Sequence, residues 1–330
     1  MPLLRQDPTT KDWVIIATER AKRPHDFRRE AEPSPPAHDP NCPFCAGNEA
    51  QTPPEEFAIK NQAGDWRVRV CENKFLALSP REQWTPPGEA FFREAAGYGK
   101  HEVIVETPRH DQPMALMSRA QVADVLRAYR ARYLALHEDE HLQQIIIFQN
   151  HGQTAGTSLV HPHSQLIATP MTPTAIRLRQ QIATHYFDDM GQCLYCAVRN
   201  AELQDGRRVV LESDRFVAFH PFASTRPFET WIVPKQHDAC FGSITDAAIV
   251  DLAAVLRTVL NKLYVGLGNP DYNYIVQTAP IHDEEQDYFL WHLQIVPRLT
   301  HTAGFELGSG MFINTALPEE TAEFMRSVEV

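Results

Sequence analysis

Hydrophobic and polar positions along this chain fall into an order that occurs twice. Residues 101–111, HEVIVETPRHD, alternate apolar and polar side chains and predict a strand ending at His110. In residues 118–138, Val122, Val125, Leu126, Tyr129, Tyr133 and Leu136 recur at helical spacing, and Ser118 with Gln121 forms a capping box. Residues 143–152 (QQIIIFQNHG) then read as a buried strand and residues 161–170 (HPHSQLIATP) as another.

The second half repeats this order. Residues 227–238 (PFETWIVPKQHD) read as a strand ending at His237, and the helix that follows has Ile249, Leu252, Leu256, Val259 and Leu263 on one face. Residues 271–280 and 289–297 supply the last two strands. His110 and His237 are 127 residues apart, as are Asn150 and Gln277, while Gln165 and Gln294 are 129 apart. Near-constant offsets of this kind predict a duplicated α+β unit, each copy a mostly antiparallel sheet with one long helix packed on it. The expected halves are residues 1–180 and 181–330, with the junction near 170–190, where TPMTPT breaks the strand pattern. The proline-rich segment REAEPSPPAHDP reads as an arm leading into the first cysteine pair.

Composition narrows the class. A chain of 330 residues that is 43% hydrophobic and 22% charged is of ordinary globular type, and no apolar run is long enough for a membrane span. A formal charge of −11 argues against a nucleic-acid surface, and its even spread reads as solvated faces. The first residues, MPLLRQDPTT, lack the apolar core of a secretory signal, so a cytoplasmic setting is expected.

Six cysteines stand at 42, 45, 71, 193, 196 and 240, four of them in two Cys-x-x-Cys pairs. In a reducing compartment, metal binding or redox chemistry outranks a structural disulfide. Cys42, Cys45, His110 and His161 make a Cys2His2 set suited to tetrahedral Zn²⁺, with buried cysteines beside unrelated histidines as the bland alternative. Four protein ligands leave no open position, so this zinc would be structural and would act by fixing the backbone around His161. The second copy offers Cys193, Cys196 and His237, with His292 a candidate fourth ligand. Leu290 stands opposite His161, which leaves that site open between four ligands, three and none.

If His161 takes the metal, His163 is left as a neutral imidazole beside the turn NHGQTAGTS. Gly152 and Gly156 allow close backbone approach there, and Asn150, Thr157 and Ser158 supply donors, a set suited to phosphate. An imidazole facing a phosphate is a competent nucleophile, and Gln165 lies on the same strand face to steady a non-bridging oxygen. Taken alone, His163 could equally be a hydrogen-bonded strand histidine.

HPHSQ with the preceding GTS resembles the transferase branch of the histidine-triad superfamily, and most closely the galactose-1-phosphate uridylyltransferase family. The segments TKDWVIIATERAKRPHDF, CPFCAGNE, PFETWIVPKQH and HLQIVPRLT…GFELGSG are similar to that family's landmarks and span nearly the whole chain. The resemblance implies that His163 is covalently nucleotidylated and that Gln165 contacts the transferred phosphoryl group. It implies that Arg20 and Arg23 bind nucleotide phosphates, that Asn150, Gly156 and Ser158 hold the α- and β-phosphate region, and that Phe305 and Asn314 are candidate sugar contacts. It further implies zinc, a homodimer, and ping-pong transfer from a nucleotide-sugar, UMP moving from UDP-glucose to galactose-1-phosphate.

Two departures widen that expectation. Gln277 and Gln294 stand where iron-binding members have histidines, and THTAGFELGSGMFINT has no clear counterpart of the hexose-binding lysine. An adenylyl-transferring relative with ADP-glucose or adenylyl sulfate as donor and phosphate as acceptor therefore stays open. So does a zinc-stabilised nucleotide-binding protein without catalysis.

Overall fold

The computed structural model describes residues 1–17, 24–29 and 34–330. Its strands are β1 (Leu3–Gln6), β2 (Trp13–Ile16), β3 (Glu55–Lys60), β4 (Trp66–Glu72), β5 (Lys100–Val105), β6 (Gln144–His151) and β7 (His163–Thr169) in the first half. β8 (Val209–Glu212), β9 (Phe216–Phe219), β10 (Thr230–Pro234), β11 (Tyr272–Gln277), β12 (His292–Pro297) and β13 (Ile313–Asn314) follow. The helices are α1 (Arg119–His137), α2 (Thr174–Met190), α3 (Leu194–Asp205), α4 (Asp246–Leu267), α5 (Gly304–Ser309) and α6 (Pro318–Ser327).

Among the described residues, ten strands form one sheet in the order β3-β4-β5-β7-β6-β11-β12-β10-β9-β8. Read from either edge, the order is the same with the two copies exchanged, so the halves meet at β6 and β11 about a pseudo-twofold. The register there agrees with the 127-residue offset. Ile147 pairs with Val276 and Gln149 with Tyr274, and adding or subtracting 127 converts one pair into the other. The α+β class and the internal repeat expected from the sequence are both observed.

Local chemistry explains the elements. Ser118 and Gln121 close the capping box that starts α1, and Thr245 caps α4 by accepting from the Ala248 N–H. α1 and α4 pack against each other on one face of the sheet. Val125, Leu126, Leu252, Leu256 and Val259 there join Ile147, Leu166 and Ile295 in one continuous core. On the opposite face the second half is covered by α2 and α3, through Ala183, Leu194 and Tyr195 against Trp231 and Leu290. The first half has instead a small apolar group of Cys42, Phe44, Cys45, Val103 and Val105.

Two boundaries differ from the expected ones. β5 stops at Val105 and β10 at Pro234, so His110 and His237 lie in the turns beyond, because Pro108 and Pro234 remove ladder donors. The expected break near 170–190 is largely a helix, α2, which begins after Pro173 and ends at Gly191 in the left-handed region with φ 66°.

Candidate active site and metal centre

The first cysteine pair, the turn after β5 and the entry to β7 converge. Cys42, Cys45, His110 and His161 are all buried, with one ligand atom of each lying within 4.8 Å of the others. Cys45 Sγ is 3.5 Å from His110 Nδ1 and 3.6 Å from His161 Nδ1, and Cys42 Sγ is 3.8 Å from His161 Nδ1. Zinc bonds of about 2.3 Å to sulfur and about 2.0 Å to nitrogen put a tetrahedral S···N edge at about 3.6 Å, so the donor set fits zinc. The tautomer fits as well. His161 Nε2–H donates to the Thr107 carbonyl at 2.7 Å, which leaves Nδ1 as the ligand nitrogen. Burial pushes the His161 imidazole down to about 4, the neutral form a metal needs.

His163 follows two residues later at the start of β7. Its Nδ1 lies 2.8 Å from the His161 carbonyl oxygen, so Nδ1 carries the proton and donates, and Nε2 keeps a free lone pair. Burial lowers the imidazole's affinity for a proton, and the Phe44 ring stands 5.2 Å away. His163 and Gln165 share one face of β7, whereas Ser164, Leu166 and Ala168 point to the helical core. The sequence reading missed what holds Gln165. His101 accepts from the Ala77 N–H at Nδ1, so its Nε2–H donates to Gln165 Oε1 at 2.9 Å. The Gln165 carbonyl is thereby taken, and its NH2 is the end left for a phosphate oxygen. His101 at the head of the alternating strand was the available signal.

The glycine turn is braced from the second half. Gly152 has φ 84°, and a Cβ there would lie 2.2 Å from the Asp271 carboxyl, so only glycine fits. Asp271 accepts from the Thr154 N–H at 2.7 Å and from the Arg29 guanidinium at 2.7 Å. Burial pushes this carboxyl's pKa up, but Thr154 and Arg29 outweigh it and hold it below the usual range. Arg298 Nε donates to Asn273 Oδ1 at 2.6 Å, and Asn273 Nδ2 donates to Asn150 Oδ1 at 2.8 Å. The Asn150 amide is thus oriented with its own NH2 free of partners among the described residues. Gly156 (φ 93°) and Ser158 are exposed on the same turn, while the Thr157 hydroxyl donates to the Leu159 carbonyl. Arg20 and Arg23 lie outside the described residues.

Elsewhere the expected sites change. Cys193, Cys196 and His237 group within 4.8 Å, but His292 is not in that group. Its Nδ1 faces the Leu290 carbonyl at 3.1 Å and its ring stacks on Trp231 at 4.6 Å. Asn314, expected as a candidate sugar contact, has its amide engaged inside the chain. It is buried in β13, donating to the Ser224 carbonyl at 2.9 Å and accepting from the Ala316 N–H at 3.0 Å. Phe305 is half-exposed on α5. None of the described helices is long and apolar enough to cross a membrane.

The chain is thus a duplicated α+β sheet with a Cys2His2 ligand set beside the imidazole of His163. The profile for the N-terminal domain of galactose-1-phosphate uridyl transferase matches residues 2–173, and that for its C-terminal domain matches residues 179–326. The chain belongs to the galactose-1-phosphate uridyl transferase family and is a nucleotidyltransferase of that family. It is 37% identical over 333 residues to ADP-glucose phosphorylase of Arabidopsis thaliana, covering all of this chain and 93% of the relative. It is 29% identical to galactose-1-phosphate uridylyltransferase of Thermotoga maritima, covering 99% and 98%. Among solved structures, an Arabidopsis ADP-glucose phosphorylase with bound ADP-glucose superposes with a TM-score of 0.85 at 35% identity, covering both chains fully. A uridylyltransferase does so at 0.76 and 26%, covering 99% and 98%.

Proposed function

We propose that the protein moves a nucleotidyl group from a nucleoside-diphosphate hexose onto His163 Nε2 and then onto a second phosphate. The carrying observation is the His163 ring itself, fixed through Nδ1–H to the His161 carbonyl with Nε2 unengaged. The Nε2 lone pair attacks the α-phosphorus, the P–O bond to hexose-1-phosphate breaks, and a phosphoramidate forms. The positive charge gained by the ring is stabilised at Nδ1–H by the His161 carbonyl. The acceptor phosphate then attacks, the N–P bond breaks, and the imidazole is regenerated. The Gln165 amide and the braced turn at 152–158 meet the phosphate oxygens whose charge grows in each step. Zinc at Cys42, Cys45, His110 and His161 would supply rigidity, holding the His161 backbone that orients the nucleophile. Residues 1–180 are taken as the half that does the chemistry and 181–330 as the half that braces it.

For the donor, ADP-glucose with inorganic phosphate as acceptor is the favoured reading. What supports it is the 37% identity along the whole chain to a protein named for ADP-glucose phosphorolysis. The absence of the hexose-binding lysine points the same way. UDP-glucose with galactose-1-phosphate is the second reading, supported by the 29% identity to the Thermotoga enzyme. Incubation with ADP-glucose and UDP-glucose, each labelled at the α-phosphate, separates them. Acid-labile label on the protein from ADP-glucose alone supports the first, and label from UDP-glucose alone overturns it. No label from either donor sinks the transferase mechanism, and label surviving in His163→Ala sinks the nucleophile.

A further inference from the structure

The mechanism above leaves one buried carboxyl unused. Glu106 is 1% exposed and lies on the helical side of the sheet, beneath the strand of His163. Gln149 Nε2 donates to its two oxygens at 2.8 and 2.7 Å, the Ser164 hydroxyl donates to Oε1, and the Tyr129 hydroxyl stands 3.3 Å from Oε1. The Tyr129 hydroxyl also bonds those of Ser164 and Tyr274. A hydroxyl relay therefore runs from β11 through α1 and β7 to the carboxyl. The titratable groups facing Glu106 are Tyr129 from α1 and Tyr272 and Tyr274 from β11, with no cation among its hydrogen-bond partners in the described residues.

Each attachment is one residue from the candidate site. Ser164 follows His163, Gln149 precedes Asn150, and the Glu106 N–H donates to the Pro162 carbonyl, between His161 and His163, at 3.2 Å. Successive strand side chains point to opposite faces, so bonds beneath the sheet set the height and tilt of the side chains above it.

We propose that Glu106 is a positioning residue for His163 and Asn150, locking the two strands that carry them in one hydrogen-bond pattern when ionised and another when protonated. This rests on the nucleotidyl-transfer reading. Ionised, the carboxylate accepts from Gln149 and Ser164, while Tyr129 accepts from Tyr274 and gives its one proton to Ser164 Oγ or to the carboxylate. Protonated, it has to donate, and Gln149 Oε1, buried without a partner, receives that proton after a half-turn of the amide. Burial pushes the carboxyl up to about 7 while its hydrogen bonds hold it down, so both forms are populated near neutral pH.

The test compares wild type with Glu106→Gln between about pH 5 and about pH 9, reading single-turnover labelling from ADP-glucose and UDP-glucose and the His163 imidazole NMR signals. Wild type should show a step near pH 7 in both readouts. Glu106→Gln should lose the step and label about tenfold more slowly, with KM within about twofold. The same step in both proteins, or no step in wild type, overturns the proposal. If neither donor labels wild type, the transferase reading has failed separately, and the imidazole signals alone decide by the same criterion. If Glu106→Gln does not fold, Tyr274→Phe cuts the far end of the relay. A step displaced by more than about half a pH unit then supports the proposal, and an unmoved step overturns it.

Discussion

The two halves of the molecule place a histidine and a glutamine at matching positions and surround them differently. His163 and His292 each begin a strand, and each turns Nδ1 to the carbonyl two residues back, at 2.8 and 3.1 Å. Gln165 and Gln294 follow two residues later. Around His163 stand a zinc-type ligand set and a glycine turn with free donors. Around His292 stand Trp231 and Tyr195, with ring centroids at 4.6 and 5.2 Å, and burial pushes this imidazole down to about 4. The Gln294 amide is tied at both ends, to Glu229 at 2.9 Å and to Gln277 at 3.1 Å, whereas Gln165 keeps its NH2. The cavity of about 180 Å³ beside His292 carries Asp7, Asp12 and Glu229 against a single Arg179, a charge balance unsuited to phosphate. Ring orientation is thus a property of the shared strand geometry. On the proposed mechanism, reactivity comes from what the loops bring to it.

The largest expected effect breaks this comparison directly. His163→Ala should reduce labelling by at least about a thousandfold, whereas His292→Ala should stay within about threefold, both read by single-turnover transfer. Equal losses would mean that the second pair also reacts. Next come the metal sites. Cys42→Ser should remove one zinc per chain and cost about 3–5 kcal/mol of stability, because it opens a buried four-ligand site. Cys193→Ser should leave the zinc of the first site in place, with elemental analysis and urea melts as the readouts.

Third, Glu106 titrates at about 7 in the fold against 4.5 in the free side chain. Between those pH values the unfolded chain gives up its proton first, so wild-type stability should fall as pH rises through that window and then level off. Glu106→Gln should lack the fall and exceed wild type by up to about 3 kcal/mol at about pH 8, measured by urea unfolding. The smallest effect sharpens the contrast between the turns. Asp271→Ala frees the Thr154 N–H and Arg29, and should raise the donor KM by about 1–2 kcal/mol in equivalent binding energy while leaving zinc content unchanged.

Much of this architecture was legible in the order of residues. Helical spacing with the Ser118–Gln121 box located α1, alternation located the strands of both copies, and the constant 127-residue offset disclosed the duplication. The Cys-x-x-Cys turn and two distant histidines pointed to zinc because tetrahedral thiolate–imidazole coordination needs that donor set, and the four ligands do converge. The outer strands β3, β4, β8 and β9 were not read: β8 and β9 are only four residues each, whereas the alternation of WRVRVCE in β4 was an available signal.

What the chain alone determined is therefore periodic and chemical: the repeat, the core faces, the first ligand set and the HxHxQ segment that ties one histidine to it. The tertiary structure decided which groups remain free. Asn314 carries the same functional atoms as any site asparagine, yet Ser224 and Ala316 occupy them, and the His292 ring is packed against Trp231. Glu106 gave no motif at all. Its importance arises from three strands and a helix meeting around one carboxyl, and hydrogen-bond partners separated by tens of residues are fixed only when the sheet closes across its pseudo-twofold.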